Sequence, residues 1–136
     1  MKPNRLPLVF LLGLACTDSL PCSDCPAVEG VWFLQYVAPD FPCDAGALAA
    51  PPATVSFTRE GSVMRTAIDG VQMSGTLYDT FDFQLGGQQP GGGLFVQLRA
   101  TYVGGAADGG ETLVGGRLAR STDQCRDDRR FTGARY

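Results

Sequence analysis

The residues best placed to do chemistry are the cysteines. There are five, Cys16, Cys22, Cys25, Cys43 and Cys125, in a chain with no histidine. Cys22 and Cys25 stand in CSDC, the spacing of redox-active dithiols and of half a zinc site. A redox dithiol sits at the start of a helix after a strand. Here Pro21 and Pro26 flank the pair in a polar segment, which points to a structural disulfide. Zinc would need Cys43 and Cys125 to join that pair with no His available, a poor ligand set, so no metal is expected. The carboxylates give no catalytic pair. Asp79, Asp82 and Asp108 lie in turn sequences, the usual general base is missing, and no Ser sits in a nucleophile elbow. An enzyme is not expected, nor a cofactor. Asp123, Asp127 and Asp128 alternate with Arg126, Arg129 and Arg130. Calcium or an anion is one reading of that cluster; interleaved signs favour a solvated loop that neutralises itself. The Gly-rich stretches 86–93 and 104–110 precede no helix, so neither is a phosphate cradle.

Charge excludes another class. Eleven basic residues face fourteen acidic ones, for a net charge of −3. After Arg5 every basic residue is Arg, and no basic stripe runs along any segment, so nucleic acid is not a partner.

The elements that would position these residues are strands. Gly30–Val37 alternates Trp32, Leu34 and Tyr36 on one face with Val31, Phe33 and Val37 on the other, and two apolar faces suggest cover on both sides. Ala38–Ala53, with four prolines, is a long connection in which Asp44 can cap a single turn. Short strands follow at Thr54–Thr58, Val63–Ile68, Val71–Tyr78 and Thr80–Leu85. The last of these points Phe81, Phe83 and Leu85 inward. Asp69-Gly70 is the strongest hairpin signal, because both positions tolerate the positive φ of a type I′ turn. Leu94–Val103 and Glu111–Ala119 come next, with a bulge or bend at Gly115-Gly116. Arg120–Arg130 reads as a charged loop and Arg130–Tyr136 as the last strand. Eight antiparallel strands joined mostly by hairpins leave two unprotected edges unless the sheet closes, so the expected fold is an all-β, eight-stranded up-and-down barrel.

The N-terminus has a different character. Lys2 and Arg5 precede an apolar run from Leu6 to Ala15, the order of a secretory signal. The run is about ten residues, half of what a membrane-spanning helix needs. Its end, LLGLAC at 11–16, resembles the lipobox of bacterial lipoproteins, with Gly13 where Leu is usual. The resemblance implies cleavage before Cys16 and acylation of that residue by diacylglycerol and a fatty acid such as palmitate. Thr17 after it implies the outer membrane of a bacterial cell envelope. Simple cleavage near Ala15, with Cys16 a free thiol, is the other reading. The expected organisation is a signal peptide over 1–15, a lipidated Cys with a tether over 16–27, and a barrel over 28–136. About 120 mature residues suffice for one domain.

With Cys16 acylated, four cysteines remain. Barrel closure runs the last strand antiparallel to the first, which brings Cys43, beyond strand one, near Cys125, before strand eight. This favours the pairs Cys43–Cys125 and Cys22–Cys25 among three possibilities. Chain entropy gives about 4 to 5 kcal/mol for the large loop and about 2 for the small one.

Gly30-Val31-Trp32 resembles the G-x-W motif that opens lipocalins and related calycin barrels, whereas no second lipocalin motif is recognisable. The resemblance implies that Arg135, from the last strand, stacks on Trp32 at one barrel end, a cation–π contact of about 0.5 to 2 kcal/mol. It also puts Ala38–Ala53 where lipocalins carry the loop over the barrel mouth. Phe57, Phe81, Phe83 and Tyr102 would then be the candidates to line a cavity for a small apolar or amphipathic ligand. An eight-stranded barrel can also be filled by such side chains. The functions left are a membrane-anchored ligand-binding barrel, a protein-binding module such as a protease inhibitor, or a passive structural lipoprotein of the envelope.

Overall fold

The computed structural model describes residues 19–39, 43, 48–104 and 110–135. Eight strands make up the fold: β1 (Gly30–Tyr36), β2 (Thr54–Glu60), β3 (Val63–Ile68), β4 (Val71–Leu77), β5 (Asp82–Gln88), β6 (Phe95–Val103), β7 (Glu111–Ser121) and β8 (Arg126–Arg135). Each is antiparallel to the next, and β8 returns to β1 with Phe33 opposite Ala134 and Tyr36 opposite Phe131. The sheet is a closed barrel, so each of these strands has two hydrogen-bonded neighbours and, among the described residues, no strand is left as an edge.

Period-two patterning puts the core inside. Trp32, Phe57, Met64, Leu77, Phe83, Leu85, Leu98, Leu113 and Leu118 are all buried within the barrel. The β3–β4 hairpin turns on Asp69-Gly70, both with positive φ, as a type I′ turn requires. In β7 the register shifts between Leu113 and Gly116. Gly115 there has φ +60°, and a Cβ on Gly116 would lie 2.4 Å from the ring of Phe131. The bulge therefore needs one glycine for its backbone and the other for room.

Several expectations are corrected. Phe81 does not point inward: β5 begins only at Asp82, and Phe81 is 41% exposed with φ +66°. The cause is a tight turn, in which Tyr78 N–H donates to Asp82 O and Phe81 N–H donates to Tyr78 O. β5 also runs through Gly86-Gly87 to Gln88, where a loop was expected. The outer face of β1 is uncovered, with Val31, Phe33 and Val37 each about half exposed. The segment read as a tether packs against the barrel instead. Pro21 forms a β-bridge with Tyr78, Cys22 N–H donates to Leu77 O, and Val28 is fully buried.

The charged loop expected over Arg120–Arg130 is mostly strand. β7 continues through Ser121, β8 starts at Arg126, and only a short turn carrying Cys125 separates them. The signal segment, Cys16, Asp44 and Asp108 lie outside the described residues.

Candidate functional site

The G-x-W segment and the last strand meet at one end of the barrel. Gly30 has φ +120°, and the Arg135 side chain passes within 3.4 Å of where a Cβ would be. The Arg135 guanidinium lies 4.6 Å from the centre of the Trp32 ring, as the resemblance to lipocalins implied. Its Nε donates to Glu111 Oε2 at 2.5 Å, and its terminal nitrogens donate to the carbonyls of Ala27 and Glu29. Tyr102 Oη donates to the other oxygen of Glu111 at 2.7 Å, and Trp32 Nε1 donates to Val28 O at 2.8 Å. The hydrogen bonds from Arg135 and then Tyr102 hold the Glu111 carboxyl below its usual range. Burial and the bond to Glu111 push the Tyr102 phenol up. This end is sealed by the indole, the ion pair above it and the chain over 27–29.

The opposite end is sealed by charge. Arg120 points into the barrel mouth and is 1% exposed. Its Nη2 donates to Asp127 Oδ2 at 2.5 Å, and its Nη1 donates to Asp69 Oδ2 at 2.9 Å and to Ala49 O at 2.8 Å. Arg129 Nε donates to Asp127 Oδ1 at 3.0 Å. Burial alone would raise the Asp127 pKa, but the hydrogen bonds from Arg120 and Arg129 outweigh it and hold the carboxyl below its ordinary value. The described end of the long connection, residues 48–53, meets this end of the barrel. Pro52 O accepts the Tyr36 hydroxyl at 2.8 Å, and Ala53 O accepts from Leu34 N–H. Burial pushes the Tyr36 phenol up to about 12, so it stays a donor. The ion pair of Arg120 with Asp127 corrects the reading of 120–130 as a self-neutralised, solvated loop. Two oppositely charged side chains from paired positions of β7 and β8 are buried together. Among the described residues no group of three or more His, Cys, Asp or Glu converges as metal ligands.

Of the four candidate ligand residues, three belong to the filled interior. Phe57 packs edge-on against Phe83 with ring centres 5.5 Å apart, and Tyr102 packs edge-on against Trp32 at 6.1 Å. Phe81 lies outside, its ring 6.3 Å from that of Tyr102. A hollow large enough for a ligand would leave the side chains around it in contact with space that water can occupy. Phe57, Met64, Phe83, Leu85 and Leu98 are each at most 2% exposed, so this middle layer is packed by its own side chains.

Both expected disulfides are present. Cys22 bonds to Cys25, and Cys43 bonds to Cys125 with a Cα–Cα distance of 5.9 Å. The first closes a small loop in the N-terminal segment; the second ties Cys43 to the β7–β8 turn.

Among the described residues, shallow clefts lie on the outer wall, three of them well formed. One, of about 390 Å³, is of mixed character and runs over β5, β6 and β7 past Tyr78, Asp82, Gln84, Arg99 and Arg117. The other two, of about 360 and 330 Å³, adjoin at Thr132 on the β7–β8–β1 face. Phe33, Val37 and Val114 flank them, and Gly116, Gly133 and Ala134 contribute to their floor. Of the two glycines of the bulge, Gly115 lies on this outer face and leaves it without a side chain there. Sequence reasoning missed it because Phe33 and Val37 were assigned cover on both sides of β1.

Compared with protein-family models, with curated proteins and with solved structures, the chain matches none of them. The fold is a small closed β-barrel.

Proposed function

We propose that this chain is a non-catalytic lipoprotein of the bacterial cell envelope, anchored through Cys16, whose barrel is a protein-binding module. The observation that carries the reading is the packed interior, sealed by Trp32–Arg135–Glu111 at one end and Arg120–Asp127–Asp69 at the other. A barrel of this kind has no room for the small apolar ligand that a calycin-type carrier would hold inside. What it offers a partner is its outer wall, above all the apolar cleft on β7–β8–β1. The anchor reading is supported by the signal-like N-terminus and by cysteine pairing. Two disulfides account for four cysteines and leave Cys16 over, and such bonds persist outside the reducing cytoplasm.

Two measurements test this. Growth with an alkyne palmitate should label the chain, and Cys16→Ser should lose the label and leave the membrane fraction. A soluble, unlabelled wild-type chain refutes the anchor. Native mass spectrometry of protein extracted from its own envelope should show a protein partner that Val114→Glu displaces. A stoichiometric small molecule retained by the folded barrel would restore the carrier reading instead.

A further inference from the structure

The end of the barrel sealed by Trp32 is also where the chain arrives from Cys16. The Pro21–Tyr78 bridge and the bond from Asp79 N–H to Leu20 O fix that arrival beside the β4–β5 turn. Two large apolar side chains face outward there, Leu20 at 64% and Phe81 at 41% exposure. Phe81 is held in a left-handed backbone conformation that bulky L residues rarely adopt, and the turn that holds it there breaks the inward alternation its sequence suggests. Val103, at the end of β6 on the same rim, is exposed as well.

We propose that this rim rests in the headgroup layer of the membrane, with Leu20 and Phe81 inserted among zwitterionic lipids. The inference rests on the anchor reading above. Leu20 is four residue steps from Cys16, which fully extended reach about 14 Å. Each headgroup layer is itself roughly 5 to 8 Å deep. An acyl chain on Cys16 therefore keeps Leu20 within about 10 Å of the lipid surface even at full stretch. Burying Leu20 and Phe81 there removes apolar area that water otherwise surrounds. Asp79 and Asp82 flank Phe81, and the Asp82 carboxylate accepts the hydroxyls of Thr80 and Thr101. Such a rim is repelled by anionic lipid and tolerated by phosphatidylethanolamine, whose ammonium groups can meet the aspartates.

The test uses the full lipidated chain in phosphatidylethanolamine–phosphatidylcholine vesicles whose acyl chains are brominated just below the headgroups. The native Trp32 is buried and serves as an internal reference. Phe81→Trp and Leu20→Trp each add a reporter at the rim, and Leu20 is exposed enough for its variant to fold if the other does not. Phe95→Trp, at the exposed start of β6 on the opposite end, is the control. The emission added by the two rim reporters should shift to the blue and lose more than half its intensity, while that of the control should not change. Vesicle flotation is read in the same samples. Chain that floats with rim reporters unquenched overturns the proposal and leaves the anchor standing. Equal quenching at Phe95→Trp overturns the orientation, and chain that does not float overturns the anchor and the proposal together.

Discussion

Arg120 carries its charge into the barrel mouth with almost no contact with water, and two carboxylates and a carbonyl stand in for the lost hydration. Such a pair contributes little net stability relative to apolar residues of the same size, yet removing one partner leaves the other buried and uncompensated. Arg120→Met should therefore destabilise the fold by about 3 kcal/mol or more, read as a lowered urea midpoint. The double variant Arg120→Met with Asp127→Leu should recover much of that loss. Additive losses in the double variant would show that the pair is not coupled. A second consequence concerns acid. Asp127, Glu111 and Glu29 all sit below their ordinary values of 3.8, 4.5 and 4.5. Arginine partners are responsible: Arg120 and Arg129 prevailing over burial at Asp127, Arg135 at Glu111 and Arg59 at Glu29. The unfolded chain thus takes up protons at higher pH than the folded one. The stability these groups confer is complete above about pH 5 and drains away as pH falls through the folded values. Thermal melts should show Tm falling between about pH 5 and pH 3, with a shallower fall in Glu111→Gln. A Tm flat across that range would contradict the assignment.

At the level of the strands, the β7 bulge is the most constrained feature. Gly116→Ala places a methyl group against the buried Phe131 ring and should lose about 1 to 3 kcal/mol, measured by denaturant unfolding. An unchanged midpoint would mean that the ring moves aside freely. This bulge was legible in the sequence because paired glycines inside an alternating strand have few other uses. The Asp69-Gly70 turn, the closure of the barrel, both disulfides and the stacking of Arg135 on Trp32 were legible too. The first three follow from a local rule or from closure itself; the stacking was an implication of the resemblance to lipocalins. What was not legible depended on contacts between distant segments. Phe81 continues a clean alternation with Phe83 and Leu85, and only the hydrogen bonds of the Tyr78–Asp82 turn reveal that it leaves the strand. Arg120 and Asp127 look like members of a solvated charge run. Their burial depends on the cross-strand register of β7 and β8, which brings them together at the mouth. The segment before Val28 reads as a polar tether because its contacts, the bridge to Tyr78 and the bond to Leu77, are made with residues some fifty positions away.

For the molecule as a whole, closure of the sheet gives every strand a hydrogen-bonded neighbour on both sides. The middle layer of the interior is filled by its own side chains, Phe57, Met64, Phe83, Leu85 and Leu98. The two covalent links differ in span, three residues against eighty-two, and their order along the chain matters for how the protein is made. In the export proposed above, with Cys16 acylated, the N-terminus leads and Cys22, Cys25, Cys43 and Cys125 reach an oxidising compartment one after another. Joining each thiol to the next free one as it emerges yields the native set, so no later reshuffling is needed. A host strain without disulfide isomerase should consequently accumulate correctly bonded protein at the wild-type level, and scrambled Cys25–Cys43 species there would refute that order of events.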